Sequence, residues 1–280
     1  MITADPRFLE SPSGRLFTVQ HRPARSGDIR GNVLFVPAFS EEMNRSRSLI
    51  TQQALRFAEM GYASLVVDLY GTGDSTGDFC DTRWALWRRD VEAALRWLQT
   101  QPGGGCTAMV GIRLGAILAA QSIEAHAPNC AALILWQPVT DGKSHLTQFL
   151  RIRMAAMLDR PNLPKETPAT MRARFAAGQS VEIGGYDIHP ELAAAIEPLR
   201  LADHKPDAAV RVLWLDNASD AAAGPSPTSE KVIDDWRAGG VAVEHRGYPG
   251  PAFWQAYDRV ETPALIDQTS AWFQQTIAAR

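Results

Sequence analysis

The sequence predicts an α/β fold with a mostly parallel central sheet, helices on both faces of the sheet, and a helical cap insertion. Three observations lead to this prediction. Short apolar runs alternate with amphipathic runs of helical length over most of the 280 residues. Continuous apolar runs are typical of parallel strands that are buried on both faces. Between residues 141 and 207 the alternation stops, and prolines and a glycine pair separate short helical pieces.

The first elements are expected to be two antiparallel strands. Residues 8–11 and 16–21 have strand-like patterns, and Pro12-Ser13-Gly14 forms a turn between them. The pattern that follows predicts buried strands and amphipathic helices in turn, at residues 32–36, 47–60, 62–68, 82–99, 106–110, 114–127 and 131–136. Strands and helices in this order imply a parallel sheet that is covered by helices.

One core with one insertion is expected, because 280 residues with 45% hydrophobic side chains can bury a single large core. Residues 1–140 and 208–280 form this core, and residues 141–207 form the cap. The cap contains predicted helices at residues 146–158, 170–177 and 191–199. The core resumes with strands and helices at residues 210–215, 229–238, 241–245 and 257–278.

The composition narrows the classes of partner. A net charge of −3 gives no general attraction to nucleic acid or to anionic membranes. The sequence has neither a basic, apolar leader nor a run of about 18 apolar residues, so neither export nor a membrane span is expected. Its three cysteines and six histidines lack the spacing of metal ligands. We therefore expect a cytoplasmic protein without metal or cofactor, and its oligomeric state stays open.

One short motif lies between a predicted strand and a predicted helix. Gly111-Ile112-Arg113-Leu114-Gly115 has small residues two before and two after its centre. Such a frame allows a tight turn that carries the central side chain to the top of the sheet, where a nucleophilic serine normally stands. Here Arg113 holds that position.

Three further segments follow strands in the order that this turn requires. They are residues 36–39 (VPAF), residues 68–75 (DLYGTGDS) and residues 248–254 (YPGPAFW). Together with the motif at Arg113 they resemble the α/β-hydrolase superfamily over nearly the whole chain. The resemblance implies the α/β-hydrolase fold, with a backbone donor to an oxyanion at Phe39 and the place of the catalytic histidine near Phe253 and Trp254.

A narrower resemblance rests on two stretches. Residues 37–47 (PAFSEEMNRSR) and 111–116 (GIRLGA) look like the second type of exosortase A system-associated hydrolase. Those proteins are named for their co-occurrence with an exosortase and exopolysaccharide export system in Gram-negative bacteria. The resemblance implies that Arg113 is a trait of that family and that the protein belongs to such a pathway.

At two of the three positions of a Ser-His-Asp triad, the side chains are unable to perform the catalytic step. Arginine is always charged and only donates hydrogen bonds, so Arg113 is neither a nucleophile nor a base. Phe253 and Trp254 at the histidine place have no proton of useful pKa. Asp216 and Asp220 are both candidates for the acid place, but an acid without a histidine orients nothing. Ordinary triad catalysis is therefore disfavoured.

Arg113 has two alternative roles at the start of its helix. With the backbone N–H groups of Phe39 and Leu114 it forms an anion-binding site, because a helix N-terminus already favours negative charge. Alternatively, Glu41 or Glu42 pairs with Arg113 and closes the site. Ser40, Trp136 and Trp254 are expected to border the same pocket.

Three hypotheses about function follow. The first is a catalytically inactive or non-classical protein that binds a small anionic or acyl ligand, or a partner, in an exosortase-associated pathway. The second is an active ester or thioester hydrolase, or an acyltransferase, whose nucleophile has moved elsewhere. The third is an interaction module whose pocket is closed by the bridge between Arg113 and Glu41 or Glu42. The identity of the ligand is not determined by the sequence.

Overall fold

The computed structural model describes residues 2–126, 130–157, 166–220 and 223–278. The strands in these ranges are β1 (Ile2–Ser11), β2 (Gly14–Pro23), β3 (Gly31–Val36), β4 (Tyr62–Val67), β5 (Cys106–Ile112), β6 (Ala132–Trp136), β7 (Val181–Ile183), β8 (Tyr186–Ile188), β9 (Arg211–Asn217) and β10 (Ala242–Tyr248). The helices are α1 (Glu41–Glu59), α2 (Trp84–Gln99), α3 (Gly115–His126), α4 (Gly142–Met157), α5 (Pro168–Ala176), α6 (Pro190–Ile196), α7 (Pro227–Ala238) and α8 (Pro263–Phe273). A π-helical turn, Gln274–Ala278, continues α8.

The central sheet has eight strands in the order β1-β2-β4-β3-β5-β6-β9-β10. Strands β1 and β2 form an antiparallel hairpin, and β2 also pairs antiparallel with β4. The remaining neighbours, from β4 to β10, are parallel. This arrangement confirms the predicted α/β-hydrolase fold with its mostly parallel sheet.

Alternation along the strands divides the core into two layers. In β3, Val33 and Phe35 pack under α1 and α8, whereas Leu34 and Val36 pack on the opposite face with α2, α3 and α7. Successive strand residues point to opposite faces of a sheet, and both faces here are covered by helices. Strands β3 to β6 therefore form largely continuous apolar runs, which is why the sequence predicted buried strands there.

The segment between β6 and β9 contains α4, α5, α6 and a small antiparallel hairpin, β7–β8. The sequence prediction included only helices here. Gly184 and Gly185 turn the hairpin, with φ angles of 59° and 89°. Two consecutive left-handed residues suit a tight two-residue hairpin turn, and glycine adopts that conformation at no steric cost.

Two predicted helix starts were wrong. Helix α1 begins at Glu41 and not at residue 47. The prediction missed its first turn because acidic and other polar residues there, which suit a helix N-terminus, hide the apolar period. Helix α8 begins at Pro263 and not at residue 257, in agreement with the preference of proline for the first helical turn. The predicted ends at Ala127 and Leu158 lie outside the described residues.

None of the helices in the described ranges has the length and apolarity needed to cross a bilayer.

Candidate functional site

The turn after β5 has the backbone of a nucleophile elbow. Arg113 has a φ of 53°, in the left-handed region that L-residues rarely adopt. A Cβ at Gly115 would lie 2.2 Å from the carbonyl oxygen of Pro37, and one at Gly111 would lie 2.6 Å from the Cα of Ala116. Gly115 is therefore required for the close contact between α3 and the loop after β3, and Gly111 for the close contact between β5 and α3. These contacts place Arg113 at the carboxyl edge of the sheet.

The Arg113 guanidinium is held on three sides. Its Nε and Nη2 atoms donate to the Glu42 carboxylate at 3.1 to 3.2 Å, and Nη1 donates to the carbonyl oxygen of Gln137 at 3.1 Å. Its Cζ lies 4.7 Å from the centre of the Trp254 ring, which is a cation–π contact. The two-point contact with Glu42 is the strong geometry for an arginine and a carboxylate.

Of the two candidate acids, Glu42 is the partner of Arg113. Glu41 instead lies 3.7 Å from the Nε atom of Arg45 and accepts a hydrogen bond from the Tyr186 hydroxyl at 3.2 Å. Burial, together with the charge of Glu41, raises the pKa of Tyr186 to about 12, so the phenol stays protonated. Tyr186 thereby links the inserted hairpin to α1.

The bridge does not fill the site. Arg113, which is 8% exposed, lines a pocket of about 580 Å³. Other polar groups of this pocket are Ser40, Glu41, Glu42, Arg45, His145, Gln148, Tyr186 and Gln255. Apolar groups from the insertion and from the loop after β10 complete it, namely Phe149, Ile152, Ile183, Trp254 and Tyr257. The pocket thus has a polar floor at Arg113 and largely apolar walls.

Arg113 has capacity for one more ligand. A guanidinium carries five N–H donors, and the contacts to Glu42 and Gln137 occupy three of them. Within the described part of the chain, one N–H on each terminal nitrogen has no protein acceptor. These two donors are available to an oxygen atom in the pocket.

The two expected oxyanion donors lie beside a very small cavity. Phe39, Ser40, Leu114 and Gly115 line a space of about 10 Å³ at the start of α3. Among the described residues, the N–H groups of Phe39 and Leu114 have no hydrogen-bond acceptor. The space is about that of one water-sized atom. Apart from these N–H groups its lining is largely apolar, with Leu69, Trp84, Trp87 and Leu118 among its residues.

Packed aromatic rings fill the position after β10 where the α/β-hydrolase resemblance implies a catalytic histidine. Phe253 is fully buried, and its ring centre lies 6.5 Å from that of Trp136 and 5.2 Å from that of Trp254. Trp254 lines the pocket, whereas Trp136, which was also predicted to border it, does not. Trp136 is fully buried, and its Nε1 donates to Thr269 Oγ1 at 3.0 Å. The indole therefore belongs to the core between the sheet and α8.

The acid candidates lie apart from Arg113. Asp216, the second-to-last residue of β9, accepts from Trp214 Nε1 at 3.0 Å and lies 3.3 Å from Nε2 of His245 on β10. The sequence did not point to His245, because it sits inside a strand. Asp220 is exposed in the loop after β9. Neither aspartate lines the pocket at Arg113.

The structure also places a histidine from α4 at the pocket. His145 on α4 is 6% exposed, and its ring centre lies 5.8 Å from that of Phe39. Burial lowers its pKa to about 4, with smaller effects from Glu42 and Arg113. Its Nε2 atom has no hydrogen-bond partner among the described residues. A single polar residue on the apolar face of a predicted helix is too common a pattern to identify His145 from the sequence.

The glycine turn after β4 has a structural role. Asp68 accepts from Arg47 Nη2 and from the N–H of Asp74, at 2.9 and 3.1 Å. Ser75 Oγ donates to the Asp68 carbonyl oxygen at 2.6 Å. A Cβ at Gly73 would lie 1.9 Å from Asp68 Oδ2, which explains the glycine. In the described part of the chain, no cluster of three metal-ligating side chains occurs.

Comparison with known families gives one match. The model of the X-Pro dipeptidyl-peptidase (S15) family matches residues 18–158, which is half of the chain. The match extends from β2 to the end of α4 and includes the loop of Glu42 and the turn of Arg113. A search of curated proteins found no match.

Solved structures with the same architecture include several esterases. Est1E from Butyrivibrio proteoclasticus, with ferulic acid bound, has a TM-score of 0.69 at 15% identity, over 97% of this chain and 99% of that chain. A thermostable carboxyl esterase from Bacillus coagulans, in complex with glycerol, has a TM-score of 0.65 at 15% identity, over 98% and 99%. Esterase 2 from Thermogutta terrifontis, phosphoramylated by tabun, has a TM-score of 0.58 at 15% identity, over 97% and 94%. At these identities the likeness shows the fold.

Proposed function

The chain belongs to the X-Pro dipeptidyl-peptidase (S15) family, and from this premise we propose that it binds a small acyl ligand in the pocket above Arg113. The single observation that carries the proposal is the state of Arg113. It is held in place by Glu42, Gln137 and Trp254, yet it keeps two N–H donors at the floor of the pocket. A fixed pair of donors suits a carbonyl oxygen.

The charged side chains around Arg113 in the pocket favour a ligand with a neutral head group over an anionic ligand. Arg113 is already neutralised by Glu42, and Arg45 lies beside Glu41. An anion at Arg113 would meet the Glu42 carboxylate, and like charges in a partly buried site repel strongly. An amide, ester or thioester carbonyl accepts the same hydrogen bonds without that repulsion. Its apolar chain would lie along Phe149, Ile152 and Ile183.

Ordinary Ser-His-Asp chemistry forms no part of this proposal. Arg113 stands at the elbow, and Phe253 fills the histidine place with a fully buried ring. We assign residues 141–207 as a cap over the pocket, because Phe149, Ile183 and Tyr186 from this segment line it. The resemblance to exosortase-associated hydrolases suggests exopolysaccharide or protein-sorting machinery as the setting and the cytoplasm as the location.

Calorimetric titration with octanamide and octanoate tests the proposal. These probes share the same chain, and only octanoate is charged at pH 7.5. We expect octanamide to bind and octanoate to bind at least tenfold more weakly. Arg113→Lys, which keeps the charge but loses the two-donor fork, is expected to weaken octanamide binding about tenfold.

Arg56→Met is the matched control, since Arg56 is a well-exposed residue of α1 that does not line the pocket. It is expected to bind octanamide as the unaltered protein does. No heat of binding from either probe would overturn the proposal. Tighter binding of octanoate than of octanamide would overturn the assignment of a neutral head group.

A further inference from the structure

Ser40 adopts a backbone conformation that its side chain makes costly. Its φ of 49° and ψ of −128° lie outside the regions that L-residues normally occupy. Residues in such conformations are strained, and they cluster at functional sites. The position is the N-cap of α1, where a serine usually accepts a hydrogen bond from the first helical turn, but Ser40 makes no such cap.

The Ser40 hydroxyl is also unpaired. The residue is 2% exposed, and its Oγ has no hydrogen-bond partner in the described part of the chain. A buried hydroxyl without a partner destabilises the folded state. Backbone strain and an unpaired hydroxyl therefore occur in one residue, which lines the large pocket and the small cavity beside Phe39 and Leu114.

His145, on α4, provides the complementary group. Its imidazole packs against Phe39, the residue before Ser40, and it lines the same pocket. Its Nε2 atom is buried and unpaired, like the Ser40 hydroxyl. The two groups share no hydrogen bond in the unliganded chain. Catalytic hydrogen bonds are often long in unliganded enzymes and tighten when a substrate binds.

We propose that Ser40 is an acyl acceptor and His145 its general base, at a site displaced from the elbow. Four ingredients of acyl transfer lie around Ser40: its hydroxyl, the His145 imidazole that lines the same large pocket, the small cavity, and the N–H groups of Phe39 and Leu114 beside that cavity. The ligand class is an ester or thioester of an apolar acid. This inference rests on the proposed function, because the ligand must first bind in the pocket above Arg113. In the reaction its carbonyl oxygen leaves the Arg113 N–H groups for those of Phe39 and Leu114.

The steps balance with water as the second reactant. Ser40 Oγ attacks the carbonyl carbon while its proton moves to His145 Nε2, and the resulting oxyanion accepts from Phe39 and Leu114. Collapse breaks the bond to the alcohol or thiol, which leaves with the proton from His145. Water then attacks the Ser40 ester and gives a proton to His145. The bond between the carbonyl carbon and Ser40 Oγ breaks, Oγ takes that proton back from His145, and the carboxylic acid is released.

Labelling with an alkyl fluorophosphonate tests the assignment. Trypsin releases residues 31–45 as one peptide, GNVLFVPAFSEEMNR, in which Ser40 is the sole hydroxyl-bearing residue. We expect the phosphonyl mass on this peptide, its loss in Ser40→Ala, and labelling at least tenfold slower in His145→Gln. Ser48→Ala on α1 is the control and is expected to label at the unaltered rate.

Ser40→Gly guards against loss of folding, since glycine accepts a φ of 49° without strain. It is expected to be at least as stable as the unaltered protein and still to lose the label. Octanamide binding without a label on residues 31–45 would overturn this inference and leave the proposed function standing. Neither binding nor label would overturn both.

Discussion

Glu42 and Arg113 face each other across the edge of the sheet, and two guanidinium nitrogens donate to one carboxylate at 3.1 to 3.2 Å. Glu42 comes from the first turn of α1, and Arg113 from the turn between β5 and α3. The pair therefore links the loop after β3, where α1 starts, to the loop between β5 and α3, and both loops line the small cavity beside Phe39 and Leu114. Removal of either partner leaves the other as an uncompensated charge in a largely buried site.

We predict that a double-mutant cycle on this pair will show strong coupling. Arg113→Met is expected to cost about 3 kcal/mol of unfolding free energy, because the Glu42 carboxylate loses its counter-charge. Glu42→Gln is expected to cost less, since the guanidinium keeps Gln137 and Trp254. The double variant should be more stable than the sum of the two losses predicts, by about 1–3 kcal/mol. Urea denaturation measures all four proteins.

A control cycle uses the surface pair Arg56 and Glu59, whose side chains are both more than half exposed. Its coupling is expected to stay below about 0.5 kcal/mol, because solvent screens the pair. Additive losses in the cycle on Glu42 and Arg113 would contradict the idea that the pair holds the two loops together.

The glycine frame around Arg113 gives a second prediction. Gly115→Ala places a Cβ 2.2 Å from the Pro37 carbonyl oxygen, which is backbone and cannot rotate away. We expect a loss of about 3 kcal/mol in the free energy of unfolding, the upper end for overpacking. Gly224→Ala is the control, since a Cβ there meets no atom within 4 Å, and it is expected to change stability by less than about 0.5 kcal/mol. Equal losses in both variants would refute the steric explanation.

Local patterns were sufficient to predict most of the fold. Strands β3 to β6 are apolar on both faces, and each is followed by a turn with distinctive glycine or proline, so their order and the position of Arg113 follow from the sequence. Helix α1 escaped prediction over its first turn because Glu41, Glu42 and Asn44 mask the apolar period. As a result, Glu42 was placed in a loop, and the sequence did not decide whether Glu41 or Glu42 pairs with Arg113.

The site required information that no local pattern contains. His145, Ser40 and Arg113 are far apart in the chain and meet only after α4 has folded back over the sheet. Trp136 was expected at the pocket from its place at a strand end, but side-chain direction alternates along a strand and turns it towards α8. Likewise, a strand pattern does not distinguish His245 beside Asp216 from any other half-buried polar residue.

The buried imidazole of His145 gives a third prediction, on pH. Its pKa falls from 6.5 when unfolded to about 4 when folded, mainly because burial disfavours the charged form. Between these two values the unfolded chain binds more protons than the folded chain, so stability falls as the pH decreases through this window. From pH 7 to pH 5 the contribution of this group is a loss of about 2 kcal/mol. We expect urea titrations at both pH values to show a smaller loss in His145→Gln by about that amount, because glutamine does not titrate. The same pH dependence in both proteins would mean that His145 is solvated in the folded state.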